Sequence, residues 1–168
     1  MVSSKHKDQR VAVLIDTQNL YYSAKNLFRA KVNFKAILES ALESRKLIRA
    51  FAYVVQTKTG EEKPFFGALV GLGIETRKRP LQEFYGGLKK ADWDVGIVVD
   101  AIRVANSVDV IVLVSGDGDF LPLIDYLRNQ GKKVEAMAFG RSTSSKLRET
   151  VDEFINLEDD PKKYLIFT

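Results

Sequence analysis

Four short runs of almost wholly apolar residues constrain the fold of this chain more than any other feature. They are VAVLI (11–15), IRAFAYVVQ (48–56), DVIVLVS (109–115) and KVEAMAF (133–139). Strands this apolar are typical of parallel sheets that are covered by helices on both faces. Segments of helical length and spacing lie between them. This alternation predicts an α/β fold, a three-layer α/β/α sandwich with a central, mainly parallel sheet.

The spacing of apolar residues and the turn residues place the other elements. They predict helices at 18–29, 34–44, 64–72, 94–106, 120–130 and 143–153, and further strands at 73–79 and 154–157. Residues 80–92 contain glycine and lysine pairs and are expected to form a loop with one turn of helix. The 168 residues suit one domain. We place it at 10–158, between a flexible N-terminal tail (1–9) and a C-terminal tail (159–168).

The composition excludes several kinds of chemistry. The chain has no cysteine, and its single histidine, His6, lies in a polar N-terminal segment. A disulfide framework, a thiolate metal site and a cysteine nucleophile are therefore excluded, and a Ser-His-Asp triad is disfavoured. Any acid/base or metal chemistry must rest on carboxylates. No apolar run is long enough to span a bilayer or to serve as a secretory signal, so we expect a soluble cytoplasmic protein without membrane contact.

The charge is unevenly distributed along the chain. The formal net charge is +4, but residues 149–168 contain six acids and two lysines. This segment therefore carries −4 and the rest of the chain carries +8. A basic body favours a polyanionic partner such as nucleic acid, although a solvated surface has the same composition.

Carboxylates follow two of the predicted strands at the point where each strand ends. Asp16 follows the first apolar run, and Asp117 and Asp119 follow the third in SGDGDF (115–120). Ligands bind beyond the carboxyl ends of parallel strands, so neighbouring strands would bring these side chains into one crevice. Carboxylates alone suit Mg²⁺ or Mn²⁺, which can activate water against a phosphodiester. The structural alternative is that these residues are helix caps and turn formers.

Two further carboxylates belong to the predicted helix at 94–106. Asp100 lies among apolar residues, where a carboxylate must be paired, hydrated or bound to a metal. The alternative for Asp100 is an ion pair with Arg103, three residues further along the helix. Asp94 stands at the start of the helix, where it could equally act as the N-cap.

Three segments of the chain resemble the motifs of one known family. IDTQNLY (15–21), KKADWDVGIVVDAI (89–102) and VSGDGDFLPLI (114–124) are similar to the segments that characterise NYN domains of the LabA-like branch. NYN domains belong to the PIN-like superfamily, several of whose members are ribonucleases. The resemblance covers residues 10–157. It implies that the acidic places of the family are taken by Asp16, Asp94, Asp100, Asp117 and Asp119.

The resemblance also implies a function and a set of residues. The expected activity is a metal-dependent endoribonuclease that hydrolyses RNA, with Asp16, Asp100, Asp117 and Asp119 as ligands of Mg²⁺ or Mn²⁺. The residues expected to contact the substrate are Asn19, Ser115, Lys89, Lys90, Arg141 and Lys146. The alternative is an RNA-binding or regulatory module without catalysis, and a homodimer is compatible with either function.

Overall fold

The computed structural model describes residues 5–83, 89–90 and 93–167, with side chains for all of these except 82, 83, 89 and 90. The strands are β1 (Arg10–Asp16), β2 (Lys31–Val32), β3 (Lys46–Gln56), β4 (Glu75–Pro80), β5 (Gln82–Glu83), β6 (Lys89–Lys90), β7 (Val110–Val114), β8 (Lys133–Ala138), β9 (Glu153–Asn156) and β10 (Leu165–Ile166). The helices are α1 (Thr17–Phe28), α2 (Phe34–Leu42), α3 (Lys63–Gly71), α4 (Asp94–Ala105), α5 (Leu121–Asn129), α6 (Ser145–Thr150) and α7 (Pro161–Tyr164).

Six strands form the central sheet, in the order β4-β3-β1-β7-β8-β9. Every pairing between neighbours in this sheet is parallel. The four strands predicted from the apolar runs, β3, β1, β7 and β8, occupy its middle. The two more polar strands, β4 and β9, lie at the edges. The predicted sandwich with a mainly parallel sheet is therefore confirmed.

Both faces of the sheet are buried, as the apolar runs require. Along β1 the side chains alternate between two separate cores. Val11, Val13 and Ile15 pack with residues of α1, α2 and α3 on one face. Ala12 and Leu14 pack with residues of α4, α5 and α6 on the other. The helices thus form the two outer layers of the sandwich.

The register of the central strands sets the position of the polar residues that follow them. Ile15 of β1 lies opposite Val114 of β7, and Asp16 lies opposite Tyr53 of β3. The chain therefore leaves β1 and β7 side by side at the carboxyl edge of the sheet.

Three segments differ from the prediction. In 80–92, β5 and β6 pair as a two-stranded antiparallel ribbon, and the rest of the loop with its expected helical turn lies largely outside the described residues. The segment expected as a C-terminal tail contains α7 and β10, which pairs with β2. Tyr164 and Leu165 are buried there. In the expected N-terminal tail, Lys5 forms ion pairs with Glu43 and Glu153 at 3.0 and 3.3 Å.

A fully buried ion pair joins the helical layer to the sheet. The guanidinium of Arg45, which follows α2, donates to both carboxylate oxygens of Glu135 on β8, at 2.8 and 3.0 Å. Both side chains are 0% exposed. Arg45 also donates to the carbonyls of Ala41 and Leu42, so little of its donor capacity is left unpaired.

Across the described residues, no helix has the length and apolar character needed to cross a membrane.

Candidate functional site

A cleft of about 270 Å³ opens at the carboxyl edge of the sheet, where β1 and β7 end. It is lined by Asp16, Gln18, Asn19, Tyr22, Trp93, Asp94, Asp117 and Asp119. These residues come from the start of α1, the start of α4 and the turn after β7. The location is the one at which parallel sheets of this kind bind ligands.

Three carboxylates meet in the cleft. One oxygen from each of Asp94, Asp117 and Asp119 lies within 4.8 Å of the others. Asp94 is the first residue of α4, and Asp117 and Asp119 belong to the turn that leads from β7 into α5. Asp94 and Asp117 are half-buried and Asp119 is exposed. The arrangement collects negative charge at a position that solvent can reach.

Ser115 links the ends of β1 and β7. Its hydroxyl donates to Oδ2 of Asp16 at 2.9 Å and accepts from the backbone N–H of Asp117 at 3.2 Å. Ser115 is 0% exposed. The hydroxyl of Ser115, which was predicted to contact the substrate, is thus engaged within the protein by these two hydrogen bonds. Its two hydrogen bonds hold Asp16 and Asp117 in the same part of the site.

Asn19 makes a second link between the same two segments. Its Oδ1 accepts from the backbone N–H of Gly116 at 3.1 Å, and its own N–H donates to Oδ1 of Asp16 at 3.3 Å. Gly116 has no room for a larger residue, since a Cβ there would lie 2.6 Å from Oγ1 of Thr143. Asn19 lines the cleft, and its amide oxygen holds the turn, while its contact with substrate stays a prediction.

The acids at the strand ends also act as helix caps, which was the structural alternative for them. Asp16 is the N-cap of α1, and Oδ1 of Asp117 accepts from the N–H of Asp119 at 2.9 Å, which caps a short 3₁₀ turn. Capping fixes the direction in which each carboxylate points. Both acids therefore cap helical turns and line the cleft at the same time.

Asp100, also predicted as a metal ligand, does not belong to this group of three carboxylates and makes other contacts. Its carboxylate accepts from the hydroxyl of Tyr53 at 2.8 Å and from the guanidinium of Arg77 at 3.1 and 3.3 Å. Asp100 is only 7% exposed. Burial first, and then the hydrogen bond to Asp100, raise the pKa of Tyr53 well above its usual value. The charge of Asp100 is thus balanced by Arg77 of β4 rather than by Arg103 of its own helix.

Trp93, which precedes α4, forms a fixed wall of the cleft. Its indole N–H donates to the carbonyl of Val54 at 2.9 Å. A Cβ at Gly96 would lie 2.6 Å from its Cε3, so the ring packs directly on α4. The guanidinium of Arg79 lies 4.5 Å from the ring centroid, and the ring of Tyr53 lies 5.5 Å away. These contacts place Trp93 in the packing around Asp94.

Two of the predicted basic contacts, Arg141 and Lys146, have described side chains. Arg141 is exposed, but its backbone and guanidinium both donate to Glu158, and its guanidinium lies 5.4 Å from the ring centroid of Phe28. Lys146 is exposed on α6, the helix whose N-cap, Ser144, crowds Gly118 of the 3₁₀ turn. Neither residue lines the cleft. The predicted contacts of Lys89 and Lys90 fall outside the described side chains.

Gln18 and Tyr22 line the cleft although the sequence analysis did not select them as site residues. Both lie on α1, close to Asp16 and Asn19. Asn19 and Tyr22 are three residues apart, a spacing that places them on one face of a helix. That spacing is the sequence signal that could have identified Tyr22.

Comparisons with known proteins bear on the family and the fold. The family model described as "NYN domain" matches residues 10–158. "Low amplitude and bright protein LabA" of Synechococcus elongatus is 29% identical over 164 residues, which cover 91% of this chain and 86% of that protein. The crystal structure of VPA0982 from Vibrio parahaemolyticus, a protein of unknown function, superposes with a TM-score of 0.86. It is 32% identical, and the match covers 99% of this chain and 100% of the other.

Proposed function

Because the chain belongs to the NYN domain family, of the PIN-like nuclease superfamily, we propose that it is a metal-dependent ribonuclease. The observation that carries this proposal is the group of three carboxylates, Asp94, Asp117 and Asp119, within 4.8 Å of one another. They stand in an open cleft at the carboxyl edge of a parallel sheet. The family adds the expectation of nucleic-acid chemistry at this edge.

The donor set fits Mg²⁺ or Mn²⁺. All three candidate ligands are carboxylates, which hard divalent cations prefer, and the chain contains no cysteine that would favour a softer metal. Mg²⁺ usually keeps several waters and takes only one or two carboxylates directly. A group of three within 4.8 Å therefore supplies enough oxygens, some of them through water. Bound in this position, such an ion would activate a water and stabilise the leaving oxygen.

The protein's own residues have separable roles in this proposal. Asp94, Asp117 and Asp119 would hold the ion. Asp16 would orient the group, since the hydroxyl of Ser115 connects its carboxylate to the backbone of Asp117. Binding of RNA would draw on basic residues outside the cleft, with Lys89, Lys90 and Lys146 as the proposed contacts. The net charge of +8 outside residues 149–168 supports this division between an acidic site and a basic surround.

The test is cleavage of end-labelled RNA and of DNA of the same sequence, with Mn²⁺, with Mg²⁺ and with EDTA. Asp119→Asn is the sharpest variant, because no hydrogen bond to the carboxylate of Asp119 is found among the described residues. Its matched control is Asp125→Asn, the same chemical change on the exposed side of α5.

We expect cleavage of RNA that needs the metal, disappears in EDTA, falls at least 100-fold in Asp119→Asn and persists in Asp125→Asn. Removal of one charge-stabilising group from an active site costs about 10²–10³-fold in comparable cases. Cleavage in EDTA, or an Asp119→Asn variant as active as the control, would refute the metal site. RNA binding without cleavage would instead support the non-catalytic module.

A further inference from the structure

Aromatic side chains in the cleft are not used by the proposed metal chemistry. Among the described residues that line it, two are aromatic, Tyr22 and Trp93. Trp93 is already engaged, by the hydrogen bond to Val54, the contact with α4 and the guanidinium of Arg79. Its ring is part of the protein's packing and is poorly placed to receive a ligand.

Tyr22 stands in a different environment. It is 54% exposed, and its ring forms a T-shaped pair with that of Tyr21, with centroids 5.3 Å apart and planes at 75°. Tyr22 lies three residues beyond Asn19, so it is about 4.5 Å further along the axis of α1 and on nearly the same face. Its side chain lines the cleft from the same helix that Asp16 caps.

We propose that Tyr22 is the base-stacking residue of the cleft, and that it holds an unpaired base beside the phosphate that lies at the carboxylates. This inference rests on the proposed function, since the ligand is the same RNA. It adds which part of the nucleotide is recognised and which side chain recognises it.

The electrostatics of the cleft explain why such a residue is needed. Three carboxylates repel a phosphate until a cation is bound, so an interaction within the cleft that does not depend on charge would add to the affinity supplied by the basic residues outside it. Stacking on an aromatic ring supplies it, and because every base has a π-face, the contact tolerates any sequence. A base inside a duplex is already paired and stacked, so only an unpaired base can adopt this position.

The experiment uses single-stranded RNA that carries 2-aminopurine, a base whose fluorescence falls when it stacks on an aromatic ring. The analogue is moved along the RNA one position at a time, and binding is followed in EDTA and, by stopped flow, in Mn²⁺. The variants are Tyr22→Ala and Tyr22→Phe, which keeps the ring. Tyr126→Ala is the control, because Tyr126 is also a helical tyrosine of similar exposure, at 45%, and does not line the cleft.

We expect quenching in the wild type, in Tyr22→Phe and in Tyr126→Ala, and no quenching in Tyr22→Ala. The affinity of Tyr22→Ala for single-stranded RNA should fall roughly 5- to 150-fold, the range that loss of one stacked base corresponds to. A duplex of the same sequence should bind Tyr22→Ala and the wild type equally.

The result separates this inference from the proposed function. RNA cleavage with unchanged quenching and KM in Tyr22→Ala would overturn the stacking role and leave the nuclease intact. Quenching that depends on Tyr22 in a protein that cleaves nothing would support the stacking role and refute the nuclease. A wild type that shows no quenching at any position, in either condition, would overturn the inference.

Discussion

Replacing Asp100 with asparagine tests whether this residue holds the fold or the metal. The sequence predicts a metal ligand, whereas the structure places its carboxylate between Tyr53 and Arg77. Asp100→Asn keeps the size of the side chain and removes its charge. If the structural assignment is correct, this substitution lowers stability and leaves the response to metal intact.

The size of the effect follows from the exposure of the two partners. Breaking a fully buried ion pair costs about 3–5 kcal/mol, and breaking an exposed pair costs about 0–1 kcal/mol. The side chain of Asp100 is 9% exposed and that of Arg77 is 38% exposed, so solvent partly screens the pair. The amide can still pair with the hydroxyl of Tyr53, and the lost partner is chiefly Arg77. We therefore expect a loss of about 1–2 kcal/mol, which for 168 residues lowers Tm by about 3–6 °C.

Thermal unfolding with and without Mn²⁺ measures both quantities in one assay. A bound metal raises Tm by an amount set by its concentration relative to Kd. We expect Asp100→Asn to have a lower Tm than the wild type, and we expect Mn²⁺ to raise the Tm of both proteins by the same amount. For Asp119→Asn we expect the opposite pattern: without metal its Tm equals that of the wild type, and Mn²⁺ does not raise it. An Asp100→Asn variant that loses the Mn²⁺ increment would refute the assignment and restore Asp100 as a ligand.

Two further predictions concern ion pairs away from the cleft. Glu135→Gln leaves the buried guanidinium of Arg45 without its counter-charge, so it should cost about 3–5 kcal/mol and lower Tm by roughly 10 °C. Glu75→Gln breaks the half-exposed pair with Arg49 and should lower the free energy of unfolding by no more than about 1 kcal/mol. Equal losses of stability in the two variants would contradict the claim that burial sets the cost. Hydrogen bonds from the Arg10 side chain and then from its backbone lower the pKa of Asp109 to about 2, so this pair stabilises the fold above about pH 4 and the contribution is lost as the pH falls toward 2. Arg10→Ala should raise that pKa toward its ordinary value, and an NMR titration in which the Asp109 pKa stays near 2 would contradict this cause.

The sequence was sufficient for the sheet and for its edge because both depend on local patterns. The strands 11–15 and 109–115 are apolar enough to be buried on both faces, a pattern typical of the central strands of a parallel sheet. Once β1 and β7 are neighbours, Asp16 and Asp117 must emerge at the same edge. That inference needs no knowledge of side-chain contacts.

The partner of Asp100 could not be found in the same way. Arg103 is the cation nearest to it along the helix, but Arg77 reaches it from a strand 23 residues away in sequence. This contact depends on how α4 lies across β3 and β4. In sequence, Tyr22 differs from Tyr21 only by its three-residue spacing from Asn19, and the rotation of α1 against the sheet decides that this face of the helix lines the cleft. The two-residue strands β2 and β10 are too short to show any periodicity.

Capping and metal binding are compatible roles for the acids at the strand ends. Oδ1 of Asp117 accepts the N–H of Asp119, and the two oxygens of Asp16 accept from Asn19 and Ser115. Each carboxylate oxygen has two lone pairs, so one hydrogen bond does not prevent contact with a cation. The same bonds fix the carboxylates before any ion arrives, which reduces the reorganisation that binding would require. The hydrogen bonds that are typical of helix caps and turns would therefore also preorganise an acidic metal site. A carboxylate at a strand end can be a cap and a ligand at once, so the sequence does not require a choice between the two roles.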